Sequence, residues 1–104
     1  MYHVDKISHL CSLDAFRWTE HILDRMAKRN ISREDVKLVV GSGEIIEDYP
    51  DDYPFPSCLM LGFLDNNPIH VVCGIGNDEL WMITAYYPDE SEWLDDNKTR
   101  RENV

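Results

Sequence analysis

Residues 57–87 read SCLMLGFLDNNPIHVVCGIGNDELWMITAYY, and this stretch decides the fold. It contains three short apolar runs bounded by turn residues, each of which predicts a strand. The runs lie at residues 57–64, 68–75 and 80–87. Short polar turns separate them, around Asn66 and Asn77, and turns of this length join antiparallel neighbours. The stretch therefore predicts an antiparallel meander.

A fourth strand precedes this stretch. Residues 44–49 are also β-rich, whereas the prolines of residues 50–56 predict a loop, because proline cannot donate to a strand ladder. Tyr53 and Phe55 in this loop leave two interpretations open. Their rings could stack on nucleic-acid bases, or they could cover an edge of the sheet.

The first half of the chain has helical periodicity. The predicted helices cover residues 4–12, residues 20–29 and the residues from the cap Ser32 to about Gly43. Thr19 is the expected N-cap of the second helix, and Asn30 can end it in a left-handed conformation. Asp35 predicts a capping-box arrangement with Ser32. Residues 14–18 predict an irregular connection.

Helices followed by strands indicate one α+β domain that spans residues 1–104. Two or three helices within residues 4–42 are expected to pack on one face of a four-stranded antiparallel sheet within residues 44–87. The other face of the sheet would be partly open. An acidic tail, residues 88–104, follows, with a short terminal helix expected at residues 90–94.

Composition indicates a globular protein of the cytoplasm. Of the 104 residues, 43% are hydrophobic and 29% are charged, and no apolar run is long enough to span a membrane. The N-terminus lacks the basic and apolar regions of a signal peptide. The three cysteines have no metal-binding or redox spacing, so we expect reduced thiols, no metal site and no cofactor.

Charge is distributed unevenly along the chain. The formal net charge is −10, which argues against a nucleic-acid partner, yet six of the ten Lys and Arg residues lie within residues 17–37. This segment is either an anion site that could contact RNA or a solvated helix face.

The predicted helix 20–29 carries the first candidate site. His21, Arg25 and Arg29 recur every four residues and therefore lie along one side of a helix. Guanidinium groups bind phosphate through two parallel hydrogen bonds, and imidazole can exchange a proton near neutral pH. This stripe suits phosphodiester chemistry or phosphate binding. Alternatively, its arginines pair with carboxylates of the same chain.

The sheet carries the second candidate site. His70 lies on the face of its predicted strand that is opposite the apolar face. In the last predicted strand, Thr84 and Tyr86 share a face with Leu80 and Met82. The three polar side chains would form a cluster if the register placed them together. The alternative is that His70 is a satisfied structural histidine. The sequence contains no P-loop, dinucleotide-binding, nucleophile-elbow or zincin motif.

Residues 18–36, WTEHILDRMAKRNISREDV, contain the pattern T-x-H-x-x-x-R-M-x-x-R-x-I-S. In this pattern the chain resembles a family of small prokaryotic proteins catalogued as a domain of unknown function. Further matches lie at residues 45–49, 56–59, 69–72 and 83–86. Ile22 stands where the family has Ala, and Asn30 stands where it has Gly.

The resemblance implies a fold similar to RelE/ParE-like and BrnT-like toxins, many of which cleave RNA, and a neighbouring antitoxin protein as partner. His21, Arg25 and Arg29 would match the helix motif, and His70, Thr84 and Tyr86 the strand positions. Three hypotheses follow: a metal-independent endoribonuclease toxin, a non-catalytic protein-protein interaction module, and a small-anion binder.

Overall fold

A computed structural model of the chain describes residues 4–102, which form three helices and one five-stranded sheet. The strand order across the sheet is β1-β5-β4-β3-β2. The elements in chain order are α1 Val4–Ser12, β1 Phe16–Trp18, α2 Glu20–Arg29, α3 Arg33–Ser42, β2 Glu44–Tyr49, β3 Ser57–Leu64, β4 Asn67–Gly76 and β5 Glu79–Tyr86.

The predicted helices and their caps are confirmed. The Thr19 hydroxyl accepts the Ile22 amide of α2 at 3.2 Å, and Asn30 ends this helix at φ 56°. Ser32 and Asp35 form the predicted capping box, in which each side chain accepts the other residue's backbone N–H. No helix within residues 4–102 is long and apolar enough to cross a membrane.

The meander of β2 to β5 is also confirmed, with strand ends within one residue of the prediction. Two-residue turns join β3 to β4 and β4 to β5. Asp65 and Asn66 form the first turn and Asn77 and Asp78 the second, all with positive φ. Asn and Asp tolerate this left-handed conformation, which matches the twist of antiparallel strands.

The prediction of four antiparallel strands is wrong, because residues 16–18 form a fifth strand rather than an irregular connection. This strand, β1, pairs in parallel with β5, with Phe16 opposite Leu80 and Trp18 opposite Met82. Three residues are too few to show a strand period, so only the pairing partner reveals the strand. The sheet is therefore mixed.

A bulge in β5 corrects the predicted faces of that strand. Val72 pairs with Thr84 and Cys73 with Met82, so Ile83 is an extra residue on β5. An extra residue reverses the alternation of side chains beyond it. Ala85 therefore shares the helix-covered face with Leu80 and Met82, whereas Thr84 and Tyr86 lie on the opposite, outer face.

The helices cover one face of the sheet and bury the core. Ile22 and Met26 of α2 and three valines of α3 pack against apolar side chains of β3, β4 and β5. The valines are Val36, Val39 and Val40. Each of these residues is at most 3% exposed, so the two helices and the sheet form one hydrophobic core.

The C-terminal segment differs from the prediction. No helix forms at residues 90–94; instead Trp93 and Arg100 form an antiparallel bridge. We name residues 88–102 the C-terminal hairpin. The amides of Leu94 and Arg101 donate to the carbonyls of Thr99 and Glu92 at 2.8 and 2.9 Å, which closes it. Trp93 is 2% exposed, so the hairpin folds back onto the protein.

The left-handed residue after α2 yields a stability prediction. We expect Asn30→Ala to lower the free energy of unfolding by about 1 kcal/mol, because alanine is strained at positive φ. Asn30→Gly should retain or raise stability, since glycine adopts this conformation freely. Urea unfolding checks both, with Lys28→Ala as the exposed control on the same helix. Equal stability of the Ala and Gly variants would contradict the expectation.

Candidate functional site

The basic stripe of α2 lies beside the free edge of β5. His21 and Arg25 are exposed, and Arg29 is half-buried. The Arg29 Nη1 donates to the Ala85 carbonyl at 2.9 Å. β1 ends opposite Met82, and α2 continues from it and packs against β5. The end of α2 therefore reaches, through Arg29, the edge of β5 that β1 leaves unpaired.

The carboxylates of α2 do not neutralise this stripe. Asp24 pairs with Lys28 at 3.2 Å on the exposed surface of the helix. Within residues 4–102, His21, Arg25 and Arg29 take part in no ion pair. The alternative that the arginines pair with carboxylates of the chain does not hold for the described residues.

His70 and Tyr86 meet on the outer face of the sheet. They are directly opposite each other on β4 and β5, with Nδ1 of His70 3.3 Å from the Tyr86 hydroxyl. Nε2 of His70 lies 2.6 Å from the Asn97 carbonyl oxygen. A carbonyl oxygen only accepts, so Nε2 must carry the proton. In the neutral ring Nδ1 then accepts from the Tyr86 hydroxyl.

Burial determines the protonation of this pair. His70 is 0% exposed, and desolvation lowers the pKa of its imidazole below the ordinary 6.5, although the bond to the Asn97 carbonyl and the Glu47 carboxylate oppose this effect. Burial also raises the pKa of the Tyr86 phenol. A neutral imidazole and a neutral phenol therefore face each other at neutral pH.

The C-terminal hairpin covers His70. The Trp93 ring meets the imidazole edge to face, with 4.5 Å between centroids and 88° between planes. The Arg100 guanidinium lies 4.5 Å above the same indole. It also donates two hydrogen bonds to Glu47 of β2, at 2.8 and 2.9 Å. These contacts form one continuous series of side chains from Glu47 on β2, through Arg100, Trp93 and His70, to Tyr86 on β5.

Glu47 also accepts a hydrogen bond from a neighbouring residue of its own strand. The Tyr49 hydroxyl donates to its carboxylate. The Arg100 hydrogen bonds lower the pKa of Glu47, whereas burial and the neighbouring carboxylate raise the pKa of Tyr49 to about 12. Sequence reasoning missed Glu47, Trp93 and Arg100. The one available signal was Trp93, a large apolar side chain within an acidic segment.

The structure brings together only part of the predicted site. His70 and Tyr86 are in contact, and Arg29 reaches the backbone of the residue before Tyr86. Thr84 lies on the same outer face, opposite Val72. Among the described residues, neither His21 nor Arg25 contacts His70, so the two imidazoles belong to separate surfaces.

A small aromatic pocket of about 250 Å³ lies at the other end of β5, beside Thr19 and the bulge. The Phe55 ring packs on Trp81 at 5.3 Å and covers this end of the sheet, whereas Tyr53 is 94% exposed. The Arg17 guanidinium lies 5.3 Å above the Trp81 ring. Phe55 therefore covers the sheet, as one interpretation of the loop expects, whereas stacking of the accessible Tyr53 on bases stays a prediction.

The structure gives no geometry for a metal site within the described residues 4–102. No group of three or more His, Cys, Asp or Glu side chains is arranged to hold a metal ion there. Cys11, Cys58 and Cys73 are free thiols, and burial together with the opposed Cys58 raises the pKa of Cys73.

Comparison with known proteins identifies a family. Residues 18–87 match the family described as "Domain of unknown function (DUF4258)". The chain belongs to the DUF4258 family. This result confirms the resemblance at the level of a domain of unknown function. No curated protein and no solved structure matches the chain.

The DUF4258 match includes some residues of the candidate site and excludes others. The matched range contains the basic stripe of α2, Glu47, His70 and Tyr86. The C-terminal hairpin lies wholly beyond residue 87. The groups on the outer face therefore belong to the DUF4258 domain, and the side chains that cover them belong to the segment that follows it.

The buried imidazole predicts a pH dependence of stability. Because the pKa of His70 is lower in the folded state, the unfolded chain binds this proton more readily as pH falls below about 6.5. We expect the free energy of unfolding to decrease with pH in this range, and His70→Gln to flatten that slope. Urea unfolding from pH 7 to 5 checks this. Exposed His9→Gln is the control, and an unchanged slope in the His70 variant would contradict the prediction.

The Glu47–Arg100 pair predicts that two carboxylates of β2, Glu47 and Glu44, contribute differently to stability. We expect Glu47→Gln to lower the free energy of unfolding by about 1 kcal/mol, since its pair is bidentate but half-exposed. Glu44→Gln removes a more exposed single contact to Lys98 and should leave the unfolding midpoint unchanged. Thermal unfolding of both variants checks this. Equal losses would show that the bidentate geometry contributes nothing.

Proposed function

We propose that this protein is an RNA-directed endoribonuclease, acting as the toxin of a toxin-antitoxin pair, that binds RNA along α2 and the free edge of β5. One observation supports the proposal above the others. In the stripe, His21 and Arg25 are exposed and Arg29 is half-buried; none of the three has an ion pair within residues 4–102, and the stripe ends beside Tyr86. A stripe of this kind suits the phosphates of an extended strand.

The proposed chemistry is transfer of a phosphodiester to the neighbouring 2′-hydroxyl. His21 accepts the 2′-hydroxyl proton, and the 2′-oxygen attacks phosphorus. The bond to the 5′-oxygen breaks, and that oxygen takes a proton from solvent. The products are a 2′,3′-cyclic phosphate and a 5′-hydroxyl. Arg25 and Arg29 stabilise the negative charge that develops on the phosphoryl oxygens. The route requires no metal ion.

His21 is the better of the two candidate bases. Its imidazole is exposed on α2, whereas both nitrogens of His70 are occupied and its ring is covered. We assign His70 a positioning role, since it fixes the hydroxyl of Tyr86. The half-buried Tyr86 ring and the Thr84 hydroxyl would then contact the nucleotide at the end of the stripe.

The net charge of −10 fits a toxin only if RNA meets the basic segment and not the rest of the surface. The RelE-like and BrnT-like likeness, an antitoxin partner and a cytoplasmic location belong to this proposal. The second candidate is a non-catalytic protein-protein interaction module. The closed His70 pair favours it, because an occupied imidazole behaves as a structural side chain.

An RNA cleavage assay checks the proposal. We expect the purified chain to cleave a single-stranded RNA in the presence of EDTA and to leave 2′,3′-cyclic phosphate ends. His21→Ala should slow cleavage about 100-fold, the usual size of a lost general base. Arg25→Ala should weaken RNA binding. Cleavage should fail at a linkage whose 2′-hydroxyl is replaced by hydrogen.

His9→Ala is the matched control, since His9 is an exposed histidine of α1 outside the stripe. It should cleave RNA as the wild type does. Full activity of His21→Ala would refute the role of His21. Intact RNA with the wild type, together with normal growth on induced expression, would refute the endoribonuclease and leave the interaction module.

A further inference from the structure

The outer face of the sheet is occupied by a segment that lies outside the matched domain. The DUF4258 match ends at residue 87, and the C-terminal hairpin begins at residue 88. The hairpin covers the imidazole of His70, and the buried Leu59 and Leu61 lie on the same face by register. The face of the domain that bears His70 thus combines buried apolar side chains with a histidine ring and the carboxylate of Glu47.

The hairpin is closed by its own hydrogen bonds rather than by the sheet. Asp96 accepts the amides of Lys98 and Thr99 and the Thr99 hydroxyl, and backbone bonds link the two arms. Within residues 4–102 it forms no strand pairing with the five-stranded sheet. Its contacts with the sheet are made by side chains and by one carbonyl, that of Asn97. The hairpin is therefore docked as a separate unit.

Charge complementarity determines how the hairpin is seated. It has six carboxylates and three basic side chains, so its net charge repels the carboxylates of β2. Two of its three basic side chains nevertheless face that strand: Lys98 lies 3.4 Å from Glu44, and Arg100 pairs with Glu47. The third, Arg101, bonds to the Glu90 carbonyl inside the hairpin.

We propose that the outer face formed by Glu47, His70 and Tyr86 is a peptide-binding surface and that the C-terminal hairpin occupies it as an exchangeable ligand from the same chain. The surface recognises an aromatic ring laid on the imidazole and a guanidinium that pairs with Glu47. Trp93 and Arg100 supply these two groups here. A partner for this surface is a segment with an aromatic residue and an arginine.

Docking of the hairpin is favoured because the hairpin is part of the same chain. A short tether gives it an effective concentration of about millimolar, so weak contacts suffice to keep it in place. A unit without strand pairing to the sheet opens locally at a lower cost than global unfolding. This surface shares His70 and Tyr86 with the proposed RNA site but none of the basic stripe, His21, Arg25 and Arg29, and the inference does not depend on the proposed RNA chemistry.

A synthetic peptide of residues 88–102 tests the proposal. The recipient is the full chain with Trp93→Ala and Arg100→Ala, whose own hairpin lacks both recognised groups. We expect millimolar peptide to shift the NMR signals of His70 and Tyr86 in this variant, and to bind the wild type at least about tenfold more weakly because the resident hairpin competes. Arg101→Ala is the matched control and should behave as the wild type.

Adding Glu47→Gln to the recipient should weaken peptide binding at least about tenfold, since the bidentate pair is lost. Absence of binding to the recipient, or binding that is insensitive to Glu47→Gln, would overturn the proposal.

A second measurement on the wild type covers the case in which the recipient does not fold. The His70 Nε2 proton, bonded to the Asn97 carbonyl, should have a protection factor at least about tenfold lower than those of the β4 amides, each corrected for the intrinsic exchange rate of its own group, because the hairpin opens locally. Equal protection factors would show that the hairpin leaves only on global unfolding, which would also overturn the proposal.

Discussion

The parallel pairing of β1 with β5 is the constraint on which the arrangement of this protein depends. Three residues pair with one end of β5 and leave the rest of its edge open. Because Thr19 caps α2 directly after this strand, the helix begins where β1 ends and packs against β5. The Arg29 guanidinium then satisfies the Ala85 carbonyl, which would otherwise be an unpaired edge group. The basic stripe owes its location to this pairing.

The bulge at Ile83 has the second largest consequence. Without it, Tyr86 would face the helices and could not meet His70 across the strands. With it, the phenol and the imidazole oppose each other on the outer face. Only one further hydrogen-bond partner is then needed to occupy the second nitrogen of the imidazole. The Asn97 carbonyl is that group. Pairing of the imidazole with neutral partners makes its burial tolerable.

The two surfaces on either side of β5 suit ligands of opposite charge. The stripe of α2 is cationic and accessible, so it suits an anionic ligand. On the outer face a carboxylate pairs with a guanidinium and an indole packs on an imidazole, which is why we propose a cationic and aromatic segment as its ligand. The three arginines and the imidazole that matter most thus have different roles: Arg25 is exposed, Arg29 donates one hydrogen bond to the Ala85 carbonyl, and Arg100 and His70 are bound within the chain.

Local features were predictable because local chemistry determines them. The capping box of Ser32 and Asp35, the left-handed Asn30 and the Asn-containing turns depend on residues a few positions apart, and each was recognised from the sequence. The i, i+4 stripe of α2 was likewise predictable from helical periodicity. The strand β1 was not, because three residues show no period without the partner that they pair with.

The sequence by itself determined the helices, the meander, the uneven charge and the identity of the groups available for chemistry. Only the tertiary structure decided which of those groups are free. A one-residue bulge selects the face on which Thr84 and Tyr86 lie, and a hairpin fifty residues away in sequence from Glu47 determines whether His70 meets solvent. The physical reason is that register and long-range docking are set by the sum of many weak contacts, which no short stretch of sequence contains.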